Sequence, residues 1–101
     1  MILYNITYNI DKDIEHEWIE WMNTVYIQKI KNTGYFSSVR FFRLLNVYDE
    51  CSTYSVQLMN KNLELIQEYL DKSAHTLAEE HNSRYKNKHV AFQTVIEELD
   101  L

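Results

Sequence analysis

The chain has 101 residues, and its 46% hydrophobic content with eight tyrosines is typical of an ordered globular domain. Its formal net charge is −5 with dispersed basic residues, which argues against a nucleic-acid partner because phosphate binding favours a basic stripe. With one glycine and no proline, most residues are expected in helices or strands. We therefore expect one domain over residues 1–101.

The single cysteine, Cys51, excludes an intramolecular disulfide and favours a reducing compartment. No stretch approaches the ~20 apolar residues that a transmembrane helix needs. The N-terminus lacks the pattern of a signal peptide, and we expect the mature chain to begin at Met1. These features predict a cytoplasmic protein that has no membrane partner.

The first predicted element is a strand over residues 2–10, in which apolar side chains alternate with mostly polar ones. Asp11 or Asp13 is expected to cap a helix from Ile14 to about Lys31. This helix has an apolar arc wider than one core-facing stripe requires. The predicted core face consists of Ile14, Trp18, Trp21, Met22, Val25 and Lys29. A second flank consists of Ile19, Tyr26 and Ile30. The second flank either sinks into the same sheet or meets another subunit.

Gly34, suited to a left-handed helix cap, precedes the densest run of β-forming residues, 36–47. This predicted strand is largely apolar on both faces, and Arg40 and Arg43 lie on opposite faces. A surface strand of a small monomer is normally apolar on one face only. We therefore expect this strand to need a second cover. Periodicity leaves open which arginine faces which side.

A turn at Asp49 and Glu50 is expected to lead into an alternating strand over residues 52–59. Asn60 or Asn62 then caps a second helix that runs to about residue 84. Its predicted apolar stripe consists of Leu63, Ile66, Leu70, Ala74, Leu77 and His81, with Tyr85 close by. A loop over residues 83–88 and a last strand, HVAFQTVIEEL, complete the chain.

The order βαββαβ predicts an α+β ferredoxin-like plait, a four-stranded antiparallel sheet with two helices on one face. The opposite sheet face is then bare and mixes polar with apolar side chains. We expect it to carry Leu3, Asn5, Thr7, Ser55, Gln57, Met59, Gln93, Val95 and one apolar face of the 36–47 strand. Since monomers avoid large exposed apolar patches, a homodimer through the open sheet face is predicted, a dimeric α+β barrel.

The segments MILYNITYNID, EWIEWM, TGYFSSVRFFRLL and TYSVQL resemble a family of roughly 100-residue bacterial proteins known only as a domain of unknown function. The resemblance covers nearly the whole chain and implies a fold without an activity. More distantly, the order of elements resembles the dimeric α+β barrel superfamily. That superfamily includes small monooxygenases, haem-degrading enzymes and ligand-sensing domains. No residue set characteristic of those enzymes can be matched position by position.

The candidate ligand-pocket residues are Arg40, Arg43, Gln57, His81 and Tyr85. His81 lies on the apolar stripe of the second helix, where it is either a hydrogen-bonded core residue or an acid–base or ligand-binding group. Each arginine either holds a ligand carboxylate or pairs with an acid such as Glu97 or Asp49. Gln57 and Tyr85 would converge with His81 and one arginine between sheet and helices.

We expect no metal site and no cofactor. The pairs at residues 75/79 and 16/20 have the helical spacing of metal ligands but no third ligand, so surface helical pairs are the simpler interpretation. Cys51 is expected in a turn without a basic neighbour to activate it. RNA binding on the sheet, which needs exposed aromatic residues on the central strands, is rejected because those positions are polar.

Two functions remain open. The first is a non-enzymatic dimeric binding or interaction module with an unknown small-molecule ligand. The alternative is a small cofactor-independent or haem-linked enzyme that uses His81, Tyr85, Gln57 and one arginine in a pocket between sheet and helices.

Overall fold

The computed structural model describes residues 1–45 and 50–101. In these ranges the chain forms strand β1 (Ile2–Asp11), helix α1 (residues 15–32), strands β2 (Ser38–Arg43) and β3 (Cys51–Asn60), helix α2 (residues 63–84) and strand β4 (His89–Glu97). A short 3₁₀ helix, Lys12–Ile14, joins β1 to α1. The predicted order of elements is confirmed.

The strands of the described residues form one four-stranded antiparallel sheet in the order β2-β3-β1-β4. β2 is an edge strand beside β3, and it spans Ser38–Arg43, which is shorter than the predicted 36–47. Val47 and the predicted turn residue Asp49 lie outside the described residues. The α+β plait with both helices against one sheet face is confirmed.

One sheet face packs against the helices, and the register shows which residues it carries, because residues directly opposite in an antiparallel ladder share a face. Ile6 pairs with Val56, and both are buried. The buried residues of β1 and β3 on this face are Ile2, Tyr4, Ile6, Tyr8, Ile10, Tyr54, Val56 and Leu58. With side chains from both helices they form one core. We call the other face the open face.

In β4, the residues predicted on the open face lie on the helix side of the sheet. Gln93 pairs with Ile6, and Val95 pairs with Tyr4, so both lie on the helix side. The prediction that these two residues belong to the open face is wrong. Strand periodicity separates the two sets of residues, but only pairing with β1 decides which set faces the helices. The β4 residues on the open face are Val90, Phe92, Thr94 and Ile96.

The register also separates the two arginines. Arg40 pairs with Gln57 on the open face, whereas Arg43 pairs with Tyr54, which is buried on the helix side. The guanidinium of Arg43 lies over the Tyr54 ring, 5.5 Å from its centroid. The question that periodicity left open is thereby answered.

Helix α1 contains a π-helical segment, Met22–Tyr26, between α-helical segments Glu15–Trp21 and Ile27–Asn32. Hydrogen bonds in a π segment close over five residues instead of four, so the segment takes up one extra residue. Beyond Met22 the buried face therefore moves one position along the chain. Its members there are Tyr26, Ile27 and Ile30.

This shift explains the wide apolar arc of α1. Lys29, predicted on the core face, is exposed and forms an ion pair with Glu80 of α2 at 2.6 Å. Tyr26 and Ile30, predicted on a second flank, are buried in the same chain, and Ile19 packs against that core. Two of the three flank residues, Tyr26 and Ile30, therefore pack within their own subunit, and Ile19 is partly buried there.

Helix α2 also has a π segment, Leu70–Ala74. Of its predicted stripe, Ile66 and His81 are buried, but Leu63 is exposed. Tyr69, absent from the predicted stripe, is buried and packs against Tyr4 with a ring-centroid distance of 6.2 Å. None of the helices in the described ranges is long and apolar enough to span a membrane.

The helix ends match the predictions in part. Asn62 caps α2, because its side chain accepts a hydrogen bond from the Glu64 amide at 2.8 Å. Gly34 has φ of +78°, the left-handed conformation expected after α1. The predicted cap by Asp11 or Asp13 is wrong, because neither side chain makes a capping bond. Asp13 instead binds Lys88 at 2.7 Å.

We expect deletion of Thr24, an exposed residue inside the π segment of α1, to be tolerated. The deletion removes the extra residue and leaves a regular helix with the same buried face. The free energy of unfolding, measured by urea denaturation, should change by no more than about 1 kcal/mol.

Deletion of Gln28 is the matched control, because Gln28 is also exposed but lies in a regular α-helical segment. Without it Ile30 rotates out of the core and Lys31 takes its place, which should cost about 3 kcal/mol or more. Equal losses for the two deletions would contradict this account of α1.

Candidate functional site

A cavity of about 180 Å³ lies on the helix side of the sheet, between β1, β4 and the two helices. We call it the helix-side cavity. Its wall combines tyrosine rings, two histidines, two side-chain amides and small aliphatic groups. The lining residues are Tyr4, Ile6, Tyr8, Tyr26, Ala78, His81, Asn82, His89, Ala91 and Gln93. Asn82 and Gln93 are exposed, so the cavity opens to solvent on their side.

His81 is the most deeply buried polar side chain in this wall, with 1% of its surface exposed. The indole Nε1–H of Trp18 donates a hydrogen bond to His81 Nε2 at 2.8 Å. Because Nε2 accepts, the neutral ring carries its proton on Nδ1. Burial, with a smaller contribution from His89, lowers the pKa of His81 to about 4. His81 is therefore neutral near pH 7.

The other ring nitrogen of His81 is unsatisfied. No described residue accepts a hydrogen bond from the buried Nδ1. An unpaired buried donor costs about 1–3 kcal/mol relative to a hydrogen-bonded one. Aromatic rings surround the imidazole, with Tyr8 at 4.8 Å, Tyr85 at 5.4 Å and His89 at 4.6 Å between ring centroids. The structure thus holds a hydrogen-bond donor in an aromatic enclosure.

His89 and Asn82 form a polar pair beside the cavity. His89 Nδ1 lies 2.9 Å from the Tyr85 carbonyl oxygen, and its Nε2 lies 2.8 Å from the Asn82 side-chain oxygen. Since a carbonyl only accepts, the Nδ1 atom of His89 is protonated. Both ring nitrogens of His89 have partners.

The tyrosine hydroxyls of the cavity are neutral as well. Burial raises the pKa of Tyr8 and of Tyr26, with the neighbouring tyrosines adding to the effect. Among the described residues that line the cavity, none is an aspartate, glutamate, lysine or arginine. The cavity therefore offers polar contacts without a carboxylate or a permanently charged cation.

The structure brings together only part of the predicted pocket. Of the five candidates, His81 lines the cavity, and Tyr85 packs against it from the same helix. Gln57 and Arg40 lie on the open face. Arg43 lies on the helix side of β2, at the sheet edge opposite β4, and contacts Tyr54. The five residues do not converge.

Arg43 belongs to a separate polar cluster. Its Nε donates to the Tyr54 hydroxyl at 3.2 Å, and that hydroxyl donates to Glu15 at 2.5 Å. Hydrogen bonds from Ser52 and Tyr54 lower the pKa of Glu15. Among the described residues, the acid near Arg43 is Glu15, reached through Tyr54, and not the predicted Glu97. Asp49, the other predicted partner, lies outside the described residues.

Sequence analysis missed several residues around His81. Trp18 was assigned to the core, but its indole N–H also fixes the histidine tautomer. His89 and Gln93 were missed because the facing of β4 depends on its pairing with β1. The alternating sequence shows that His89, Ala91 and Gln93 share one face of β4, but it does not show whether that face meets the helices.

One of the two predicted surface pairs, His75 and Glu79, is a simple helical contact. His75 Nε2 lies 3.2 Å from Glu79 Oε1, and both side chains are largely exposed. In residues 1–45 and 50–101, no group of three or more histidine, cysteine, aspartate or glutamate side chains could hold a metal ion. Cys51 begins β3 and does not lie in a turn, and its Sγ is 3.8 Å from Asp11 Oδ1.

The chain belongs to the family described as domain of unknown function DUF4286, which matches residues 1–99. This agrees with the resemblance found in the sequence. No curated protein matches the chain.

Solved structures share the fold at low identity. A protein of the ethyl tert-butyl ether (EthD) family from Bacillus halodurans has a TM-score of 0.73 at 9% identity, covering 98% of this chain and 100% of that one. An Arabidopsis thaliana protein has a TM-score of 0.69 at 12% identity, with 100% of both chains covered. A dimeric ferredoxin-like protein from an uncultured marine organism has a TM-score of 0.66 at 13% identity, covering 94% and 92%. These similarities establish the ferredoxin-like fold.

The lowered pKa of His81 should make stability depend on pH. Between about pH 6.5 and pH 4 the unfolded chain binds a proton on this ring that the folded chain does not. The free energy of unfolding should therefore fall as the pH is lowered through this window, by roughly 3 kcal/mol. Urea denaturation of the wild type and of His81→Gln at several pH values measures the difference.

The variant should lack this part of the pH dependence, and other titrating groups cancel in the comparison. His75→Gln removes an exposed histidine and is the control; it should keep the wild-type profile. An unchanged profile in His81→Gln would show that His81 does not titrate as the structure implies.

Proposed function

We propose that this DUF4286 protein is a non-enzymatic binding module that acts as a homodimer closed through the open face of its sheet. The observation that carries the proposal is the composition of that face, which exposes a large apolar side chain on each edge strand, Phe42 and Phe92, around a hydrogen-bonded polar centre. The helix-side cavity lies behind the sheet, so dimer formation would leave it accessible.

The apolar edges of the open face are exposed in the isolated chain. Phe42 of β2 is 42% exposed, and Phe92 of β4 is 52% exposed. The other large apolar side chains near these two edges are Leu44, Val90 and Ile96. Covering such groups contributes about 25 cal/mol for each Å² removed from water. Because these apolar side chains lie on both edge strands of one sheet face, a second sheet packed on that face would cover all of them.

The polar residues in the centre of the open face would add little free-energy cost to dimer formation. Thr53 donates to Asn9 at 2.7 Å, and Ser55 donates to Asn5 at 2.6 Å. The Asn5 amide in turn donates to Thr7 at 3.1 Å. Because these groups already bind one another, removing water from them leaves few donors or acceptors unpaired. A second copy could therefore cover the face at a small desolvation cost.

Two further features support a second copy as the partner. A structure with the same fold is described as dimeric, and a two-fold axis lets one face cover itself. Arg40 lies on the open face and makes no ion pair with another described residue. In the dimer its guanidinium would be available to bind a carboxylate of the other subunit.

A binding role fits the state of His81 better than an enzymatic role. A general base needs a free lone pair and a pKa near the working pH. In His81 the lone pair of Nε2 accepts from Trp18, and the pKa is about 4. The helix-side cavity, at about 180 Å³, is also smaller than the roughly 300–1,000 Å³ of sites for drug-sized ligands. A haem would not fit in it.

The dimer is tested by sedimentation velocity and light scattering at micromolar concentrations. We expect the wild type to be a dimer and Phe92→Glu to weaken it by at least about thirtyfold, because a buried charge replaces a large apolar contact. Phe92 is half exposed in the single chain, so the variant should keep its fold by circular dichroism.

Thr76→Glu is the control, since it adds the same charge at an exposed position of α2 and should leave the dimer intact. A wild type that is monomeric at these concentrations would refute the proposal. A dimer that Phe92→Glu leaves unchanged would place the interface on another surface.

A further inference from the structure

We propose that the helix-side cavity binds a small, planar, uncharged molecule through a carbonyl oxygen that accepts a hydrogen bond from His81 Nδ1–H. This inference rests on the proposed binding function and names the ligand class of its cavity. It does not depend on the dimer, because none of the cavity residues lies on the open face.

The hydrogen-bond chemistry of the ligand follows from the tautomer of His81. Its Nε2 is occupied by the Trp18 indole at 2.8 Å, and its Nδ1 has no acceptor among the described residues. The ring therefore presents one N–H and no lone pair. Because Nδ1 is buried, a ligand reaches it only when the surrounding side chains shift, and the ligand atom that meets it must be an acceptor. A molecule with only donors, or with no polar atom, leaves the N–H unsatisfied.

The charge of the ligand follows from the rest of the wall. No described lining residue is a lysine or arginine, and His81 itself is neutral. The ring nitrogens of His89 are already engaged by Tyr85 and Asn82. A carboxylate in this cavity would lose its hydration without gaining a permanent counter-charge. An uncharged carbonyl makes the same hydrogen bond at a much smaller desolvation cost.

Size and shape restrict the ligand further. An engineered cavity of about 150 Å³ in another protein accommodates benzene, so about 180 Å³ suits a single ring with a short substituent. The rings of Tyr4, Tyr8 and Tyr26 form much of the wall, and such walls favour a flat ligand. Small side chains, Ala78 on α2 and Ala91 on β4, leave the space between helix and sheet unfilled.

Three probes of nearly equal shape separate these requirements. Acetophenone has a ring and a carbonyl, α-methylstyrene replaces the oxygen with a CH₂ group, and benzoate replaces the methyl ketone with a carboxylate. Dissociation constants are measured by NMR titration of the ¹⁵N-labelled protein near neutral pH. The Nδ1–H signal of His81 is followed at the same time.

We expect acetophenone to bind at least about tenfold more tightly than α-methylstyrene, which is the ratio that one added buried hydrogen bond gives. Benzoate should bind more weakly than acetophenone. The His81 Nδ1–H signal should move with acetophenone and not with α-methylstyrene. Equal affinity for acetophenone and α-methylstyrene would overturn the role of His81, and tighter binding of benzoate would overturn the uncharged class.

Two variants locate the site. Ala78→Leu fills the cavity from α2 without changing His81 and should abolish acetophenone binding. Thr76→Leu adds the same side chain at an exposed position of the same helix and should bind as the wild type does. His81→Leu should lower acetophenone affinity to that for α-methylstyrene, provided that it folds. If it does not fold, the comparison of Ala78→Leu with Thr76→Leu still decides whether the cavity is the site.

The ligand proposal and the dimer proposal can fail independently, because sedimentation of the protein without probes measures dimer formation alone. Absence of binding by all three probes up to their solubility limits, in a protein shown to be dimeric, would overturn the cavity proposal alone. Binding that persists in Ala78→Leu would place the probes elsewhere and would overturn it as well.

Discussion

The hydrogen bond from the Trp18 indole to His81 joins the two helices in the middle of the core. It satisfies a buried indole N–H and fixes the tautomer of a buried imidazole in one contact. Tyr8 of β1 packs against both rings, with centroid distances of 5.4 and 4.8 Å. The arrangement of α1, α2 and β1 therefore depends on this bond, and so does the tautomer that leaves the buried Nδ1–H of His81 unsatisfied.

Both helices reach this arrangement with the help of π segments. In α1 the segment Met22–Tyr26 moves the buried face by one residue, so that Ile30 is buried and Lys29 reaches Glu80 of α2. Such segments cost regular hydrogen bonding and are often found near functional sites. Here Tyr26, the last residue of the α1 segment, also lines the cavity.

The sheet separates two surfaces with different properties. Its helix side carries the cavity, which is enclosed by rings and free of fixed charge among the described residues. Its open face carries polar side chains that hydrogen-bond to one another, between edge strands that expose Phe42 and Phe92. Because successive strand residues point to opposite sides, the same strands build both surfaces without sharing a side chain. Binding and dimer formation can therefore be tested independently.

The sequence alone predicts the order of elements and the plait, and it narrows the cap of α2 to Asn60 or Asn62, of which Asn62 makes the capping bond. These features depend on local periodicity and on side-chain chemistry near a helix end. The sequence also singled out His81. Only the tertiary structure decided which face of β4 meets the helices, where α1 gains its extra residue, and which arginine lies on the open face. Periodicity separates two faces but does not orient them. Strand pairing orients them, and it joins residues distant in sequence.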